Sequence, residues 1–112
     1  MAQTTFSGPV ISTNGFIAGS GSTAITKILT GSASLNFPSI SAASQADLTI
    51  TVTGAAVNDE VVLGLPAAPT AGITFNAFVS AANTVTIRAT NVTAAPVDPA
   101  AATYSVIVFG AA

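Results

Sequence analysis

The side chains able to make or break bonds are few and scattered. The chain has 112 residues, with two basic side chains (Lys27, Arg88), four acidic ones (Asp47, Asp59, Glu60, Asp98), no histidine and no cysteine. General acid–base catalysis draws first on His, Asp, Glu, Lys and Cys. Asp59 and Glu60 are the one adjacent acidic pair. On a strand, neighbours point to opposite faces, so the two cannot work on one substrate. They read more simply as a solvated turn before Val61 and Val62. A Ser or Thr nucleophile needs an activating base, and Lys27 is the one credible base. It stands between Ile25 and Leu29 on one face of an alternating stretch. There its stem would lie along apolar surface while the ammonium stays in water.

Metal and cofactor chemistry find no better footing. Zinc lacks its preferred ligands. Asp98, Asp59 or Asn side chains could contribute to a calcium site, but no loop has the dense spacing of oxygen ligands that calcium requires. "NVT" at Asn91–Thr93 has the pattern of a glycosylation acceptor, here read as chance because no secretory signal precedes it. "GSGS" lacks the following Lys and the preceding strand of a phosphate cradle. The expectation is a protein with no catalytic residues, no cofactor and no metal.

Composition narrows the remaining classes. The length suits one domain. Charged residues are 5% of the chain, against about a quarter in an average globular protein. The net charge of −2 offers no footprint for nucleic acid, which needs clustered Lys and Arg. Low charge also weakens solubility as a free monomer, which favours life inside an assembly. The N-terminus lacks the basic start and apolar stretch of a secretory signal. No run approaches the ~18 apolar residues of a membrane helix. The strands are too short and too poor in aromatics for a transmembrane barrel.

The elements follow from period-two alternation between turn residues. Residues 1–23 are rich in Gly, Ser and Thr, with Pro9, Asn14-Gly15 and Gly19-Ser20-Gly21 as breakers; they read as an extended N-terminal arm. Residues 24–112 read as a β-sandwich domain. Strands are expected at 24–30, 33–37, 47–53, 60–63, 73–79, 84–90 and 103–109. Ser41–Ala46 has room for one helical turn, and "VSAANT" is expected to close a hairpin at Asn83. The fold class is all-β: an antiparallel β-sandwich or jelly-roll-like barrel of about seven to eight strands.

Three features point to a partner. The first is the arm, "FSGPVISTNGFIAGSGS", where Phe6, Val10, Ile11, Phe16 and Ile17 sit among breakers. The entropy of ordering so many loop residues exceeds what those side chains offset by burial. The arm must therefore add strand hydrogen bonds, dock on a partner or stay mobile; lying as a strand on its own sandwich is the plain alternative. Extended, it reaches roughly 75 Å. The second is Phe78, on the otherwise polar face of its strand, either a lone exposed aromatic or an interface anchor. The third is "TYSVIVF", with Tyr104, Val106 and Val108 on one face and Ser105, Ile107 and Phe109 on the other. A strand apolar on both faces fits a covered central position or a subunit contact. Candidate arm contacts are thus Phe6, Pro9, Val10, Ile11, Phe16 and Ile17. Candidate oligomer contacts are Phe78, Tyr104, Ile107 and Phe109.

"MAQTTFSGPVISTNGF" resembles the start of small structural proteins encoded beside the major capsid protein in tailed phages. "SLNFPSI", "ADLTITVTGAAVNDEVVLGLP" and "GITFNAFVSAANTVTIRATNVTAAPVDPAAATYSVIVF" resemble a β-domain that recurs in phage virion proteins. That family includes head decoration (cement) proteins and modules at fibre tips. The resemblance implies a protein on the outer surface of the virion capsid, bound to the major capsid protein, often as a homotrimer, with no nucleic-acid or membrane partner. It transfers no functional residue. The 23-residue arm is short for a fibre shaft, which favours cement over fibre. The alternative is a receptor- or glycan-binding tip, for which Phe78 and Tyr104 are the candidate aromatics. A hydrolytic enzyme is a third class, served only by Lys27 and the scattered acids.

Overall fold

Alternation of apolar and polar residues builds two layers. The computed structural model describes residues 3–111, with six strands: β1 (Ile25–Leu35), β2 (Gln45–Thr51), β3 (Glu60–Gly64), β4 (Ile73–Ala81), β5 (Thr84–Asn91) and β6 (Ala102–Ala111). One sheet has the order β1-β6-β3 and the other β2-β5-β4, with every pairing antiparallel. Among the described residues no helix forms; Ser41–Ser44 closes as a turn through Ser44 N–H to Ser41 O at 3.1 Å. The protein is an all-β, sandwich-like fold.

The core lies between the sheets and is richest at the two central strands. Val85, Ile87 and Ala89 of β5 and Val108 of β6 are 0% exposed. Ile73, Phe75, Ala77 and Val79 of β4 and Leu48 and Ile50 of β2 face the same interior. Phe37, Phe75 and Tyr104 form an aromatic cluster, with Phe37 edge-on to Tyr104 at 5.8 Å between ring centres. Edge-to-face geometry suits the quadrupoles of such rings and adds to their area burial.

Strand number is one correction to the sequence reading. The segments 24–30 and 33–37 are a single strand, so the sandwich has six strands, not seven to eight. Gly31-Ser32 resembles a breaker but continues the ladder, with Gly31 opposite Val106 and Ser32 opposite Ser105. Glycine stands there because the sheets approach closely: a Cβ at Gly31 would lie 2.7 Å from Val52 Cγ2. Phe37 falls past the strand end yet stays buried. The Asn83 hairpin forms as expected. Ala81 faces Thr84 across a two-residue loop, and Asn83 takes a positive φ of 62° there.

Candidate interaction surface

Residues 3–23 contain no strand. Their one ladder contact is Phe16 to Ile25, closed by Phe16 N–H to Ile25 O at 2.9 Å and Ile25 N–H to Phe16 O at 2.8 Å. Gly15 sets this crossing. Its φ is +92°, and a Cβ would lie 2.6 Å from Ile25 O, so only glycine passes. Gly15 N–H bonds back to Ser12 O, and the Ser12 hydroxyl donates to Gly15 O, so the chain turns away from the edge of β1 before a second strand can form. Beyond that turn, the large side chains find no cover. Phe6, Val10, Ile11, Phe16 and Ile17 are 67, 62, 92, 68 and 56% exposed, and Pro9 is exposed beside them. Phe6 and Val10 line a shallow apolar groove with Phe16, Ile25 and Ile28.

The candidate oligomer contacts do not form one surface. Tyr104 is 1% exposed and packs between the sheets against Phe37 and Phe75, so it is removed from the contact set and from the glycan-binding candidates. Its parity with Val106 and Val108 was the signal for this, because that face is the inner one. Burial also raises the phenol's pKa. Phe78 lies on the outer face of the β2-β5-β4 sheet, 36% exposed. The Arg88 guanidinium sits over its ring at 5.0 Å, held by Asp47 through two bonds of 2.9 Å. Ile107 and Phe109 lie on the outer face of the opposite sheet, Ile107 39% exposed and Phe109 half-buried. Register places Ile28 beside Phe109, and Ile107 between Thr30 and Val62.

The scattered charges have structural partners. Lys27 reaches Asp59 at 2.7 Å and donates to Gly54 O at 3.0 Å, tying β1 to the loop before β3. The ammonium is thus paired, where the sequence suggested free solvation. Gly110 makes room for it, since a Cβ there would meet Lys27 Cε at 2.5 Å. The Lys27 ammonium, and then the Ala56 N–H, hold the Asp59 carboxyl below its ordinary pKa. Arg88 does the same for Asp47. Among the described residues no three acidic side chains gather as a metal site would require. Asn91 is 0% exposed, donates to Ile40 O and Ala95 O, and accepts from the Thr93 N–H and hydroxyl. A side chain so enclosed is no glycosylation acceptor.

Comparison of the chain with family models, with curated proteins and with solved structures returned no significant match.

Proposed function

We propose that this protein is a non-enzymatic decoration (cement) protein of a tailed-phage capsid. It binds the outer surface of the major capsid protein shell as a homotrimer and resists the outward pressure of packed DNA. The sandwich is the rigid body, and the arm is the clasp, laid on the shell or on a neighbouring copy. Several weak clasps act together, so the loss of one contact does not release the rest. The observation that carries this reading is the arm itself. Five large apolar side chains stand more than half exposed while the core closes without them. Contiguous apolar surface on a chain so poor in charge marks contact with another molecule.

The test is binding to purified undecorated shells. A variant with Phe6, Val10 and Ile11 replaced by serine keeps the whole chain and leaves the buried core untouched. The native chain should load each shell with many copies, counted on a stained gel, and the variant should lose most of that loading. Undiminished binding by the variant would remove the arm from the mechanism. Failure of the native chain to bind any shell would overturn the reading.

A further inference from the structure

We propose that the apolar stripe on the outer face of the β1-β6-β3 sheet is the seat for the arm of a second copy of this chain. Register assembles the stripe. Phe16 faces Ile25, Ile28 faces Phe109, and Ile107 faces Val62. Directly opposed residues of an antiparallel pair project to the same side, and Ile107 and Phe109 lie two apart on β6, so Ile28, Phe109, Ile107 and Val62 share one face. The bulge between Ile25 and Lys27 shifts the alternation and brings Ile25, with Phe16, beside Ile28 in one groove. The outer face of a two-layer sandwich is ordinarily polar. The far half of this face is polar, with Ser32 opposite Ser105 and Ser34 opposite Thr103. The half nearer the arm is not: Ile28 is 63% exposed, Val62 55% and Ile107 39%.

Three observations point to a second copy as the occupant. The first is continuity. Phe6 and Val10 line one groove with Phe16, Ile25 and Ile28, so the arm and the stripe are a single apolar surface that the chain leaves open. The second is length. Fully extended, Gln3–Gly15 would reach about 43 Å, which exceeds the 29 × 24 Å cross-section of the molecule. The 57 Å long axis also exceeds the roughly 36 Å that eleven residues of β1 span. An arm that projects past its own sandwich is long enough to cross the face of a neighbour. The third is charge. Lys27, beside the groove, is neutralised by Asp59, and Glu60 is the one charged residue in register with the stripe. Such a face selects an uncharged apolar partner, and the arm from Gln3 to Ser22 carries no charge at all. The contact joins two different patches, so copies associate head to tail, which closes into a ring when the rotation between copies allows it. The inference deepens the self-association in the reading above. It is tested without shells, so a monomeric protein that still decorates shells would sink this inference and the homotrimer while the decoration reading stands.

Two measurements decide it. Sedimentation equilibrium of the full chain should give a multiple of the 10.9 kDa monomer mass. The variant Ile28→Thr/Ile107→Thr alters only solvent-facing positions and should associate at least about tenfold more weakly, as expected when interface anchors are truncated. The chain has no cysteine, so the pair Val10→Cys/Ile107→Cys reports without background. Oxidation should link different chains into species that resolve on reduction. A monomeric native chain, an unaffected threonine variant, or links confined within single chains would each overturn the proposal.

Discussion

At the scale of single residues, Asn91 shows how a local pattern and a tertiary role diverge. Its amide sits at the end of β5, where the chain leaves the sheet, and makes bonds to Ile40, Thr93 and Ala95. Truncation leaves the Thr93 N–H without its acceptor and takes one of two donors from Ile40 O, which keeps the Val97 N–H, and from Ala95 O, which keeps the Thr93 hydroxyl. Asn91→Ala should therefore cost about 1–2 kcal/mol, the range for one buried group left unsatisfied together with weakened neighbouring bonds. Urea unfolding checks this, and a loss under about 0.5 kcal/mol, the range of neutral surface changes, would contradict the bonding pattern. Phe78 is the converse case. The sequence leaves it either a lone exposed aromatic or an anchor for another molecule; Arg88 already occupies part of its ring, and Asp47 fixes Arg88 there.

At the scale of elements, β1 is the strand that organises both the core and the contact surface. Its inner face carries Leu29, Gly31, Ala33 and Leu35 toward β2, and its outer face carries Ile28 into the stripe. Gly31 is where the layers come closest. Gly31→Ala forces Val52 aside and should cost about 1–3 kcal/mol, as overpacking does. Ser32→Ala, one position along and facing out, should stay within about 0.5 kcal/mol. Thermal unfolding of both variants tests the close approach; equal stability would mean that the sheets do not meet at Gly31. The arm differs from β1 in having its ladder stopped after one bridge by the Ser12–Gly15 turn. That turn keeps the arm off its own sheet edge and leaves its side chains uncovered.

At the scale of the whole molecule, the radius of gyration is 17.7 Å, against about 13 Å for a compact chain of this length. The difference fits a sandwich with a projecting arm. Four of the six charged side chains are used in two ion pairs, Lys27–Asp59 and Arg88–Asp47. Both carboxyl groups have pKa values lowered by their partners. A carboxylate with a folded pKa below its unfolded value of about 3.9 contributes stability that is complete above that value. The contribution is lost as the pH falls through the folded pKa. With no histidine in the chain, the melting temperature should be flat from pH 5 to 8 and decline only below about pH 4. A calorimetric series over pH 2.5–8 would show this, and a transition centred above pH 5 would contradict it.

What the amino-acid order determined alone was periodicity. Alternation over 47–53, 73–79 and 84–90 gave the inward faces of β2, β4 and β5, because a half-buried strand must segregate its side chains. Paired breakers separated the arm from the sandwich for the same local reason. What only the tertiary structure decided depends on distances between residues far apart in the chain. Whether Gly31 bends a strand or admits Val52, whether Tyr104 meets solvent or Phe37, and whether Lys27 stands free or finds Asp59 are settled by how the layers stack. No spacing along the chain encodes those approaches. Ile28, Ile107 and Val62 likewise became one surface only through the register of three strands.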